Sequence, residues 1–315
     1  MSKMHAAVVD PNATGHVAIH DVEMPTPARN EAMVKVAAVS MNQGELRYAQ
    51  SMEAGHSIGW DLAGIVEQPA ADGTGPKEGS RVVGFVSTGA WAEMVAVPTD
   101  AIAVLPDNVL FEQAATLPVA GLTALYALEK GTGLLGRNVL VTGANGGVGV
   151  FACQLAKMMG ARVIGLIRRE ANRDIVMKSD ADEVVVSEDG GAARDFGPYR
   201  LIAESVGGQV LANCMTMLDH DGICVSFGNS SMQDTTFDAW SFMRTDRAKL
   251  YGFLLFHELG VEPASVGLSR LVRMVSERKL KPRISVEEPM EKVGEVARDL
   301  MDRKIPGKAV LRWWI

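Results

Sequence analysis

A chain of 315 residues is longer than one ordinary domain, and it predicts two. Hydrophobic residues make up 47% and charged residues 22%, which describes a globular protein with ample core. The formal net charge of -7 supplies no broad positive field, so neither nucleic acid nor an anionic membrane is an expected partner, and three cysteines argue against a disulfide framework.

Residues 1–5 lead straight into a strand-like run without the pattern of a signal peptide, and no uninterrupted apolar segment is long enough for a bilayer. The expected location is therefore cytoplasmic. From residue 4 to about 106 the chain reads as short strands and turns. Residues 6–9, 16–22, 32–39, 62–66, 81–86 and 91–97 are apolar or alternating, and Gly73, Gly75, Pro76 and Gly79 punctuate one connection. This first third is expected to be mostly β, a partly open barrel.

The character changes at Asn108. Residues 111–117 are apolar at helical spacing, Pro118 follows, and 121–128 resume the helix. Then comes Val139-Leu140-Val141-Thr142-Gly143-Ala144-Asn145-Gly146-Gly147-Val148-Gly149. An unbroken aliphatic strand, a glycine turn and a helix start stand in immediate succession, the context that marks a dinucleotide-binding crossover. Gly146, Gly147 and Val148 are expected to bring backbone to a pyrophosphate, with the helix start turning free N–H groups and a partial positive charge toward it. Ala144 stands where the usual fingerprint has its first glycine.

After the turn, strand and helix alternate. Strands are expected at 162–167, 183–186, 201–204, 222–226 and 249–253, with helices at 170–178 and 209–218. The pattern predicts an α/β fold with a parallel, doubly wound sheet and a ligand beyond the carboxyl ends of its strands. The second of these strands ends Leu166-Ile167 without a carboxylate, and Arg168 and Arg169 come next. Guanidinium groups suit a 2′-phosphate in charge and geometry, so NADPH is expected in preference to NADH. Glu170 follows, and Arg173 is a possible third cation; a solvated surface turn is the alternative for these charges. Helices are expected at 263–277 and 293–302, then a strand at 308–313. No helix follows that strand, so it is expected to rejoin the β-rich first part. The expected division is 1–112, 113–256 and a C-terminal return over 257–315.

Several motifs occur in a fixed order. They are Asn42 with Glu45, Gly59-x-Asp61-x-Ala63-Gly64-x-Val66, Gly79-x-Arg81-Val82, Gly89-Ala90-Trp91-Ala92-Glu93, Leu117-Pro118 with Gly121-Leu122-Thr123-Ala124, the glycine turn, Val206-Gly207-Gly208, Phe227-Gly228-Asn229 and Gly307-Lys308-x-Val310-Leu311. Together they resemble the medium-chain dehydrogenase/reductase superfamily, in its zinc-free quinone oxidoreductase branch, over essentially the whole chain. The resemblance implies a GroES-like catalytic domain with a Rossmann domain, catalysis in the cleft, and a homodimer. Zinc alcohol dehydrogenases of the superfamily take ligands from a cysteine after the early strands, a histidine–acid pair and a later cysteine or acid. Here Asn42 and Trp60-Asp61 stand at the first two places, all three cysteines lie outside the first domain, and the four-cysteine structural lobe is absent. No metal is expected.

Without a metal Lewis acid, the expected reaction is hydride donation from NADPH to a small electrophile, a quinone or an activated α,β-unsaturated carbonyl. An enoyl-thioester reductase and a catalytically silent NADPH-binding sensor or structural protein are the alternatives. By the resemblance, Asn42 lies near the nicotinamide and orients the ring, and Thr123 lies beside the nicotinamide phosphate or ring. Phe227, Gly228 and Asn229 would line the nicotinamide side, and Ser187 would help hold the 2′-phosphate. Tyr48 is the best proton donor on offer, with Arg47 and Gln43 as alternatives for holding a carbonyl oxygen. Lys308 reads as a surface lysine in a turn rather than a ligand of a cofactor phosphate.

Overall fold

The computed structural model describes residues 2–313. The chain forms two compact units, Met1–Leu122 with Glu262–Ile315 and Thr123–Val261.

The first unit opens with a hairpin, β1 (Lys3–Val9) antiparallel to β2 (Val17–Glu23). Next come β3 (Glu31–Met41), α1 (Gln43–Ala49), β4 (Asp61–Gln68), β5 (Arg81–Phe85), β6 (Met94–Pro98), β7 (Ile102–Val104) and α2 (Phe111–Ala115). β3 is buried along nearly its whole length, with Lys35 its one exposed side chain, so both of its faces are covered. That is why it reads as an almost unbroken apolar run rather than an alternating one.

Gly59, just before β4, has φ +101, and a Cβ there would lie 2.2 Å from Cδ1 of Trp91, which is fully buried. A Gly59→Ala variant is expected to lose about 2–5 kcal/mol, from left-handed backbone strain together with overpacking. Urea denaturation measures it, and an unchanged midpoint would show that the indole gives way.

A π-helical turn, Leu117–Gly121, leads into α3 (Leu122–Glu129), where the chain enters the second unit. The crossing falls at 122/123 rather than 112/113 because α2 packs on β3 and β4 of the first unit. The second unit continues with β8 (Asn138–Thr142), α4 (Gly147–Met158), β9 (Arg162–Ile167), α5 (Arg173–Met177), β10 (Glu183–Val186), β11 (Tyr199–Glu204), α6 (Gly208–Cys214), β12 (Leu218–Ser226), α7 (Ala239–Arg244), β13 (Lys249–Gly252) and α8 (Leu255–Glu258). Its sheet is parallel throughout, in the order β10-β9-β8-β11-β12-β13. Strand order reverses between β8 and β11, the switch point at which such sheets bind ligands. Ile164, Leu140, Ile202 and Cys224 stand in register across four strands, and none is exposed to solvent.

Two helices are shorter than their periodicity predicts. The segment 170–178 divides into a 3-10 turn, Glu170–Asn172, and α5. α6 stops at Cys214 because β12 already begins at Leu218. The three cysteines are buried and free.

The chain re-enters the first unit at Glu262 and adds α9 (Ala264–Ser276), β14 (Ile284–Pro289), α10 (Val293–Met301) and β15 (Lys308–Arg312). The large sheet of this unit runs β14-β15-β3-β4-β5-β7, with β6 also on β3. β15 rejoins the first part, antiparallel to β3, with Ala309 opposite Met41 and Val310 opposite Ser40. β14, which periodicity does not pick out, lies parallel beside it.

Candidate active site

In the first unit a buried polar cluster forms where β3 ends, α1 begins and the first residues of β4 and β15 come alongside. Asn42 is the N-cap of α1 and makes a capping box with Glu45. Glu45 Oε1 accepts from the Asn42 backbone N–H and, at 3.2 Å, from its Nδ2, while Oε2 accepts from the Trp60 N–H at 2.8 Å. Asp61 stands opposite Ser40 in the β3–β4 register. Its Oδ2 accepts from the Ser40 hydroxyl and from Asn42 Nδ2, both at 2.8 Å, and its Oδ1 from the Val119 N–H at 3.0 Å. Lys308 Nζ donates to Asn42 Oδ1 at 2.6 Å and to the Met41 carbonyl at 2.9 Å, and it stands 3.5 Å from Asp61 Oδ2.

Two carboxylates and an ammonium are thus enclosed, with Glu45, Asp61 and Lys308 exposed by only 2%, 0% and 2%. Burial lowers the Lys308 pKa from its ordinary value, against the pull of Asp61 and Glu45. Burial and the neighbouring Asp61 charge raise that of Glu45 well above the usual range, against Lys308 and the N–H donors.

This geometry corrects one expectation: Lys308 is an interior residue, not a surface lysine in a turn. Asn42 has both amide hydrogens and its carbonyl oxygen engaged inside the cluster. Gln43 is likewise committed, through Nε2 to the Leu300 carbonyl at 3.4 Å. Tyr48 is different: it is 56% exposed, and among the described residues its hydroxyl makes no hydrogen bond. The residues do not fit a zinc ion. The three oxygens that converge on the Lys308 ammonium include no thiolate or imidazole, and among the described residues no three His, Cys, Asp or Glu side chains are grouped to hold a metal.

In the second unit the glycine turn lies at the carboxyl end of β8. Gly143 has φ +58, and the Gly146 N–H closes the turn onto its carbonyl at 2.8 Å. The first helical bond of α4 runs from Val150 N–H to Gly146 O, which leaves the N–H groups of Gly147, Val148 and Gly149 without helical partners. A Cβ at Gly149 would lie 2.4 Å from the Gly143 carbonyl oxygen, so helix and turn are in direct backbone contact. These features fit a bound pyrophosphate.

Arg168 and Arg169 follow β9 and are exposed, and among the described residues their side chains form no ion pair or hydrogen bond. Arg173 is not a third free cation: it chelates Glu170 through Nε and Nη2 and donates Nη1 to the Val184 carbonyl at 2.9 Å. The Ser187 hydroxyl donates to Asp189 Oδ1 at 2.9 Å. Thr123 is buried on α3. Phe227, Gly228 and Asn229 leave the carboxyl end of β12 and pack on the loop after β11. The Phe227 N–H binds the Glu204 carbonyl at 2.9 Å, and Asn229 lies so close to Gly207 that a Cβ there would be 2.3 Å from Asn229 Oδ1.

Beneath these loops sits Glu204, which sequence reading passed over. It has no solvent exposure, and its carboxylate accepts from the Val206 and Gly207 N–H groups at 2.6 and 2.9 Å, and from the hydroxyl of Ser226 at 3.2 Å. Burial raises its pKa, opposed by those donors. It ties the loop after β11 to the end of β12. The signal was available: a lone carboxylate closing the apolar run Leu201-Ile202-Ala203.

Two family models match this chain: an alcohol dehydrogenase GroES-like domain over residues 28–107 and a zinc-binding dehydrogenase over 147–266. The quinone oxidoreductase of Sus scrofa is 31% identical over 224 residues, covering 66% of this chain and 68% of the pig protein. That of Mus musculus is 26% identical over 307 residues, covering 89% and 88%. Among solved structures, mycobacterial Rv1454c complexed with NADPH superposes with a TM-score of 0.88 at 26% identity, over 98% of this chain and all of the other.

Proposed function

This chain belongs to the quinone oxidoreductase-like branch of the medium-chain dehydrogenase/reductase superfamily, and from that premise we propose a zinc-independent oxidoreductase that passes a hydride from NADPH to a quinone or activated α,β-unsaturated carbonyl. The observation that carries the cofactor is the unpaired Arg168 and Arg169 at the end of a strand that bears no carboxylate. The NADPH complex of the similar mycobacterial protein supports the same reading. The quinone is supported by the activity for which the pig and mouse relatives are named.

In this reading Gly146, Gly147 and Val148 present backbone to the pyrophosphate at the start of α4. Arg168 and Arg169 hold the 2′-phosphate, without help from Arg173 or Ser187. Thr123, Phe227, Gly228 and Asn229 keep their places on the nicotinamide side. When bound, the cofactor supplies the hydride; the protein positions the partners and excludes water. Asn42 contributes by anchoring α1. Each hydride delivered to the acceptor requires one proton at its oxygen or α-carbon, and the free hydroxyl of Tyr48 on α1 is the proposed donor, refilled from solvent. A Tyr48→Phe variant is expected to lose about 100-fold in kcat on an enone. An unchanged kcat assigns the proton to water.

NADPH oxidation followed against a panel of quinones, enones and enoyl thioesters tests the whole reading. Binding without turnover of any of them would overturn it in favour of a silent NADPH-binding protein. Full turnover after exhaustive chelation supports zinc independence, and loss restored by Zn²⁺ refutes it. A homodimer belongs to the same proposal. β13 ends its sheet with an outer edge that pairs with nothing among the described residues, and Leu250 on it is 44% exposed. Light scattering that returns a monomer mass would refute the dimer.

A further inference from the structure

Among the described residues the fold buries four acidic side chains, Glu45, Asp61, Glu204 and Glu258. Three of them have a cation. Lys308 stands 3.5 Å from Asp61 and its charge also acts on Glu45, while Lys130 pairs with Glu258 at 2.5 Å. Glu204, the last residue of β11, is different. It is fully buried, and among the described residues no lysine, arginine or histidine bonds to it. A buried charge ordinarily has a counter-charge. We infer that the counter-charge of Glu204 is the oxidised nicotinamide: the carboxylate raises the affinity of the second unit for NADP⁺ relative to NADPH, so that Glu204 reads the redox state of the cofactor.

Three observations carry this. First, the surroundings are built for the charged form. Oε1 accepts from two backbone N–H groups, those of Val206 and Gly207, and Oε2 from the Ser226 hydroxyl. The Thr142 hydroxyl accepts the Ser205 N–H at 2.9 Å, which leaves its own proton free for Oε1 at 3.5 Å. A carboxyl group that only accepts is an ionised one. Second, its place is the cofactor edge. β8, β11 and β12 are neighbours in the sheet, and this one carboxylate bonds to residues at the carboxyl ends of all three, at the switch point. Third, no other group nearby can answer the charge. The titratable side chains that face it are Cys214 on α6 and Cys224 on β12, and burial, with the Glu204 charge, pushes both thiols up, so they stay neutral. The reduced nicotinamide is neutral, and the oxidised ring is positive because the hydride takes both electrons of its bond with it. The pyrophosphate and the 2′-phosphate are common to both forms, so an anion at this edge separates them by the ring alone. The inference rests on the cofactor reading above and adds to it the residue that tells the two redox forms apart.

The test compares full-length wild type with a Glu204→Gln variant, each titrated with NADPH and separately with NADP⁺ by calorimetry. The amide keeps an oxygen for the Val206 and Gly207 N–H groups and removes the charge. NADP⁺ is expected to bind about tenfold more weakly to the variant, while NADPH changes by less than about twofold. Equal weakening of both forms would make Glu204 a structural tie between loops and overturn the inference, and so would no weakening of either. A second measurement needs no variant. NADP⁺ favours the ionised carboxylate, so protonating Glu204 lowers its affinity, and in the wild type the affinity for NADP⁺ relative to NADPH is expected to rise from about pH 5 to about pH 8. Titration of the 2′-phosphate cancels in that ratio. Should Glu204→Gln fail to fold, the pH profile decides: a flat ratio with both forms bound would overturn this inference alone. A wild type that binds neither form would overturn the cofactor reading and this inference with it.

Discussion

A variant with both Arg168→Ala and Arg169→Ala is expected to bind NADPH about 1.5–3 kcal/mol more weakly per lost charge-assisted contact while its affinity for NADH stays nearly unchanged. The selectivity follows from what else lies at the end of β9. NADH requires an acceptor for its ribose 2′-hydroxyl, and the strand ends in Leu166 and Ile167 without one. The one nearby acid in sequence is Glu170, and the Arg173 guanidinium holds it in a two-point ion pair and draws its carboxyl below the usual range. Glu170 is thus paired with Arg173. Fluorescence titration of both reduced cofactors against wild type and variant gives the comparison. Equal weakening of the two would mean that the arginines serve the turn and not a 2′-phosphate.

Gly149→Val is expected to cost about 3 kcal/mol or more and to abolish NADPH binding. A Cβ at this position would lie 2.4 Å from the Gly143 carbonyl oxygen and 2.7 Å from the Ala144 Cα and carbonyl carbon. All three are backbone atoms of the turn itself, so relief requires α4 to move away from β8, and with it the free N–H groups. Gly146→Ala is the control: its Cβ would meet the Gly143 oxygen at 3.1 Å and should cost far less stability. Urea denaturation and cofactor titration on the two variants separate the structural glycine from the neighbouring one. A wild-type midpoint for Gly149→Val would mean that the close approach does not hold helix to turn.

The contrast between these two sites and the Lys308 cluster reflects the range over which each is encoded. The glycine turn was legible because everything that makes it is consecutive: an aliphatic strand, residues without side chains and a helical period. The alternation that yields a parallel sheet was legible for the same reason, and so was the missing carboxylate after Ile167. α6 was overrun because apolar periodicity cannot separate the end of a helix from the start of a buried strand, and the segment before Leu218 contains both. The partners of Arg173 and Ser187, Val184 and Asp189, were not legible because they follow only from side-chain directions.

By itself, then, the order of residues determined the α/β class, the strand–glycine turn–helix crossover, and the arginine pair after β9. Tertiary structure alone decided that Lys308 is interior and that the Asn42 amide is spoken for. Lys308 and Asn42 are 266 positions apart and meet only because β15 returns antiparallel to β3. A lysine before a strand looks the same in sequence whether it reaches into water or into the protein. Which of the two it does depends on what the strand pairs with, and a buried charge is tolerated only where that pairing also delivers its counter-charges.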